Sequence, residues 1–259
     1  KTITEIVTNG LLSGPKTHVI NITGNFFKTL LMPAEKMLGG RFLGDEAMVR
    51  QGIQTYTGLR KYFDESLKMA LMALKTGDNI LDAGHKVMDG RDRYVLGTYD
   101  KVKQGILDRK VARGDTSGRL SELEELQAHA FSWLGAPSRA LGAADEFFKQ
   151  LNYRANVYAK LSGEAAANPK LAGNAQAMAE YVENGMEAAF DKAGRGTRQD
   201  ALRIAQEATW TQSLRDDAYF NGGIGQAALN MVNSYPPLRL VMPFIRTPTN
   251  LIRDFVAHT

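Results

Sequence analysis

The chain contains no cysteine. That excludes disulfides, a thiolate nucleophile and a cysteine-held zinc site together, while saying little about compartment. Proline is scarce, eight in 259 residues. No apolar run reaches the roughly 18 residues of a membrane span. The longest candidates, near residues 26–32 and 238–245, are interrupted by Lys28, Pro33, Arg239 and Pro243. A single transmembrane helix is therefore not expected, whereas a helix lying on a membrane surface stays open. Blocks of one charge are missing as well. The 32 Lys and Arg interleave with 28 Asp and Glu for a net charge of +4, which is mildly basic and forms no arm of nucleic-acid type. Lys1 is not a start methionine and no signal peptide follows it. The chain is expected to be a processed or excised piece of a longer polypeptide.

Catalytic fingerprints are lacking too. None of His18, His85, His129 and His258 pairs with another at a spacing of three or four, and no HExxH occurs, so no metal site is expected. Around Lys86, Gly77 and Gly84 stand too far apart for a phosphate-binding GxxxxGK[ST] loop, and no GxSxG elbow appears. Residues 221–225 read NGGIG and open an expected helix. They suit an anion at its amino end, but a glycine-capped turn is the preferred reading. The carboxylate pairs Glu124–Glu125, Asp145–Glu146 and Asp216–Asp217 are expected on solvated helix faces. No enzyme activity and no cofactor are expected.

What is present is helical periodicity, with almost no strand-like alternation. A first helix is predicted from Pro15, with Ser13 or Gly14 as cap, to Leu31, then a kink or break at Met32–Pro33. A second is predicted over residues 45–75. Asp45 and Glu46 suit its positive end, Gly77 suits its stop, and Ile53, Tyr56, Leu59, Phe63, Leu67, Leu71 and Leu74 form one apolar stripe. Residues 77–118 are rich in Gly and Asp and fit short helices, a loop or a hairpin, with a turn at 114–118. Ser121 and Glu124 make a capping box for the next helix. Pro137 starts another, whose face is Leu141, Ala144, Phe148, Leu151, Ala155, Tyr158 and Leu161. Further helices are expected over 172–193, 198–210 and 225–232. The predicted fold class is all-α, long amphipathic helices in an irregular bundle open to an extended form. It divides into helical regions 1–113 and 119–259.

Two patterns look functional. On the first helix His18, Asn21 and Asn25 lie in one line beside an apolar row of Val19, Ile22, Phe26 and Leu30. Amides next to an apolar seam are costly when buried alone and useful when a partner satisfies them. That partner is either a neighbouring helix end in the same bundle, the reading composition favours, or another chain whose register they set. His18, Asn21 and Asn25 are the assembly candidates. Near the carboxyl end Arg239, Arg246 and Arg253 recur every seven residues among aromatic and apolar side chains. They are candidates to contact the phosphate of lipid or DNA, or are plain solvated arginines on a proline-punctuated packing segment.

Three stretches, LLSGPKTHVINITGN (11–25), RALGAADEFFKQLNYRANVYA (139–159) and PFIRTPTNLIRDF (243–255), resemble, in this order, segments of the internal virion (DNA-ejection) proteins and related large polyvalent proteins of tailed bacteriophages. They are not catalytic motifs, and no lysozyme-like or transglycosylase segment accompanies them. The resemblance implies a structural protein held inside the virion near the portal. After ejection with the genome it would assemble in the host cell envelope into a conduit for DNA. The implied partners are further copies of the chain and other internal or portal proteins, with DNA and the host membrane surface as further candidates. The alternative is a nucleic-acid-binding accessory region of a large phage protein such as a virion-packaged polymerase.

Overall fold

The computed structural model describes residues 14–82, 97–171 and 173–211. Within them the protein is all-α, with eight helices and a single isolated bridge between Phe190 and Gly196. The expected helix 225–232, the NGGIG turn, Asp216–Asp217, His85, His258 and the three arginines 239, 246 and 253 lie outside the described residues.

Helix α1 spans Pro15–Leu43, with Pro15 in its first turn and Gly44 in a left-handed cap at φ 68°. It runs on through Pro33 to Leu43, where a kink or break at Met32–Pro33 was expected, so the helix is not broken there. Proline removes one donor and crowds the preceding turn, yet here that turn is packed rather than split. Tyr56 Oη donates to the Leu30 carbonyl at 2.6 Å. Gly52 provides the room: a Cβ there would stand 2.8 Å from the Pro33 carbonyl and 2.4 Å from Met37 Cγ.

The predicted helix 45–75 is two helices, α2 (Glu46–Lys61) and α3 (Phe63–Thr76), separated at Tyr62. Asp45 caps α2 by accepting from Met48 N at 3.0 Å. Gly77 ends α3 at φ 69°, donating to the Ala73 carbonyl. The expected stripe does not form the core. Leu59 is buried, but Ile53, Phe63, Leu67, Leu71 and Leu74 are exposed. The inner face carries Gly52, Thr55, Gly58, Ser66, Ala70 and Ala73 instead. The cause is close approach, since a Cβ on Gly58 would meet Ala155 Cα at 2.7 Å. Two backbones this near leave room only for small side chains.

Helices α4 (Tyr99–Val111) and α5 (Glu122–Leu134) pair around Val102, Ile106 and Ala128. Between them Gly114 and Gly118 take φ 88° and 65° in the predicted turn. The Ser121–Glu124 capping box forms as read. Helix α6, Ala136–Ala167, is the centre. At 32 residues it extends about 48 Å. Helices α1, α2, α3, α7 (Ala175–Ala188) and α8 (Gln199–Ala208) all pack on it. Its expected face is inside at Leu141, Phe148, Leu151, Ala155 and Leu161, but so are Glu146, Lys149, Tyr153 and Val157 on other sides. Helices α7 and α8 are shorter than expected because the chain turns back between them. Tyr153 Oη donates to the Ala189 carbonyl at 2.6 Å and accepts from Arg198 N at 3.0 Å, clamping both ends of that turn.

Candidate functional site

The seam between α1 and α6 is polar. Asn25 is fully buried, and its Nδ2 donates to Asp145 Oδ1 at 3.1 Å and Asn21 Oδ1 at 3.0 Å. One turn further, Asn152 Nδ2 donates to Thr29 Oγ1 at 2.8 Å. Next to Asp145, Glu146 Oε1 accepts from Leu81 N and from Gln150 Nε2, each at 2.9 Å. Its other oxygen faces Lys149 Nζ at 3.6 Å, both side chains being fully buried. The buried charges are two carboxylates against one ammonium. Asn25 Oδ1, Glu146 Oε2 and Lys149 Nζ have no hydrogen-bond partner among the described residues. Burial pushes the Asp145 carboxyl up to about 6, with Lys149 and the amides of Asn25 and Asn21 pulling the other way.

The placement of the expected site residues follows from this seam. Asn25 turns into the molecule, while Asn21 and His18 lie half-buried along the same line. The Asp145–Glu146 pair, expected on a solvated face, is buried. The hydrogen bonds of Asn25, Leu81 N and Gln150 hold it there, while Glu146 Oε2 is left facing the Lys149 ammonium. Glu124 and Glu125 sit on α5. Glu124 pairs with Lys110 at 3.0 Å, and Glu125 accepts from Tyr99 Oη and faces Lys103 at 3.6 Å. His129 stacks on Tyr99 at 4.5 Å. Among the described residues no group of three His, Asp or Glu gathers to hold a metal.

The α6 half of the seam was missed, although a signal for it exists. Asp145, Lys149, Asn152 and Asn156 recur at spacings of four, three and four. His18, Asn21, Asn25 and Thr29 recur at three, four and four. Two polar rows of matching helical pitch are what a polar helix–helix seam requires.

With the polar row inward, the apolar row of α1 faces out. Val19 and Ile20 are each 62% exposed, and Ile22, Phe26, Phe27, Leu30 and Leu31 are exposed beside them. Between Val19 and Leu31 the single charged residue is Lys28. Its ammonium is carried away from this face, 5.2 Å over the Trp210 ring. Further large apolar residues point outward from α3 (Phe63, Leu67, Leu71) and from α5, where Trp133 is 80% exposed. No described helix is long and apolar enough to cross a membrane.

The class defined by this fold and seam is an all-α protein with an inverted helix, polar inward and apolar outward. Compared with known proteins, the chain matches no family model, no curated protein and no solved structure.

Proposed function

We propose that this chain is a structural, non-enzymatic assembly element of the internal virion machinery of a tailed phage. It is ejected with the genome and joins further copies of itself and other internal proteins into a conduit for DNA across the host envelope. The resemblance of residues 11–25, 139–159 and 243–255 to phage internal virion proteins supports this reading. The observation that carries it is the outward apolar face of α1. Seven large apolar side chains in thirteen residues, free of charge across the face, form a surface that repels no second copy of itself. Contiguous apolar surface of this kind marks an interaction site, and a two-fold pairing of like faces needs no other element.

Light scattering on the purified chain tests the proposal. Defined oligomers are expected, and Ile20→Glu with Phe27→Glu should return them to monomer with helicity by circular dichroism unchanged. A chain that is monomeric at all concentrations, and remains so with anionic liposomes or DNA present, would overturn it.

A further inference from the structure

A second surface differs in character from the α1 face. An open groove of about 850 Å³ runs between the α2–α3 junction, α6 and α7. Its floor is aromatic and sulfur-bearing, with Tyr158, Met178 and Phe190 among the lining residues. Tyr62 packs edge-to-face on Tyr158 at 5.9 Å. Four carboxylates stand around it, Glu65, Glu183, Glu187 and Asp191, together with two cations, Arg154 and Lys61, whose ammonium lies 5.1 Å over the Tyr158 ring. Glu65 is met by Arg154 at 2.7 Å and Asp191 by Arg195 at 2.8 Å. Glu183 and Glu187, one turn apart on the exposed side of α7, have no cation against them among the described residues, and α7 carries no Lys or Arg. Burial first and Glu65 next push the Tyr62 phenol up to about 12.

We infer that this groove is the docking site of the chain's own cationic segment, residues 238–255. That segment reads LRLVMPFIRTPTNLIRDF, with three arginines against one aspartate and apolar or aromatic residues between them. Its apolar residues match the floor and its arginines match Glu183 and Glu187. Opposite charges at a rim select a partner and fix its register more than they raise affinity. Methionines in the floor adapt to an irregular ligand. The described chain ends at Thr211, just after α8, and α8 packs on α6 as the groove does. The 26 residues from 212 to 237 reach about 85 Å when extended at roughly 3.3 Å each, ample to cross a domain of this size. The α1 face is the lesser candidate for this segment, because it offers no charge to three arginines.

Hydrogen exchange of the full chain by mass spectrometry tests the assignment. Three variants are compared with the parent: Glu183→Arg with Glu187→Arg; Arg239→Glu with Arg246→Glu and Arg253→Glu; and both sets combined. Each set alone is expected to raise exchange severalfold in both Ala175–Ala188 and 238–255, and the combined swap to restore protection in both. Exchange in α7 that ignores the arginine changes, or damage that adds in the combined variant, overturns the proposal. Protection that holds on dilution supports docking within one chain. Protection lost on dilution assigns the segment to a neighbouring copy and overturns the intrachain occupant. Arginine variants that lose DNA or lipid binding while α7 exchange stays put would assign those residues to phosphate instead.

Discussion

Helices α1 and α8 both lie on α6, and they do so by opposite rules. Helix α8 is conventional: it buries Ala201, Leu202 and Ala205 against the apolar side of α6, in one cluster with Tyr153, Val157 and Leu161. Helix α1 buries Asn25 and Thr29 and shows Val19, Ile20, Phe26 and Phe27 to the outside. The hydrophobic effect, roughly 25 cal/mol per Å² of apolar surface removed from water, therefore holds α8 in place but leaves much of the α1 surface unused. Helix α1 stays by directional bonds that are satisfied only in part. An inverted helix of this kind is either awaiting a partner on its outer face or positioned by specificity rather than by burial.

That contrast can be broken most forcefully at Lys149. Lys149→Ala leaves Glu146 and Asp145 buried without a counter-charge. Removing one member of a buried pair costs about 3–5 kcal/mol, so urea unfolding should show a large loss or no folded protein. Replacing Glu146 and Lys149 together by Gln and Met should cost much less below pH 6, where Asp145, the one carboxyl left in the seam, is protonated.

Acid should act on the seam in the unusual direction. The Asp145 carboxyl is held at about 6 against an ordinary 3.8, so the folded state binds this proton more tightly than the unfolded state. The stabilisation is fully present below 3.8 and is lost as pH rises through 6. A shift of about two units corresponds to an upper bound of about 3 kcal/mol. Asp115, Glu124 and Asp191 are instead held below the usual range by their hydrogen-bond partners and by Lys110 or Arg195. They oppose the trend, so the readout is the difference between parent and Asp145→Asn. That difference should favour the variant at pH 7 and vanish near pH 4. A difference that stays flat with pH would mean the carboxyl is not strained by burial.

On the tightly packed side, Gly58→Val drives a side chain into Ala155, 2.7 Å from where its Cβ would stand. Overpacking of this order costs about 1–3 kcal/mol. Tyr153→Phe removes the bonds to Ala189 and Arg198; the Ala189 carbonyl still accepts from Thr197 N at 3.0 Å, so the part-buried Arg198 N–H alone loses its partner, at about 1 kcal/mol by thermal unfolding. The smallest effect belongs to the outer face of α1. Phe27→Ser should change stability by no more than about 0.5 kcal/mol, as at other exposed sites, while lowering any concentration-dependent mass. A large loss of stability there would show that the face is already covered within the chain.

Much of the local architecture was legible. The all-α class, the acidic start at Asp45 and Glu46, the Ser121–Glu124 capping box and the Gly77 stop follow from residues within one turn of each helix end, where only a few backbone groups need a partner. The line of His18, Asn21 and Asn25 was legible as a pattern, and composition favoured a neighbouring helix end of the same bundle as its partner; Asn25 instead bonds to Asp145, a side chain in the interior of α6. The burial of Asp145 and Glu146 was not legible. An acidic pair on a helix is usually solvated, and only the arrival of Asn25 and Leu81, from 120 and 65 residues away, makes burial tolerable. The stripe from Ile53 to Leu74 misled for a related reason. Periodicity shows that a helix has an apolar side, but the spacing between α2 and α6 decides whether that side fits inside.

What the sequence determined by itself is a set of helix starts and stops, at Pro15, Asp45, Gly77 and Ser121, because capping, proline and glycine act through neighbours along the chain. What only the tertiary structure decided is which side of each helix is inside. It placed Gly52, Gly58 and Ala155 at close crossings and carried α1 through Pro33. It also turned an amide row inward and a phenylalanine row out. Burial is a property of the space between elements, set by how near two backbones come and which distant polar groups meet, and no stretch of sequence contains that distance.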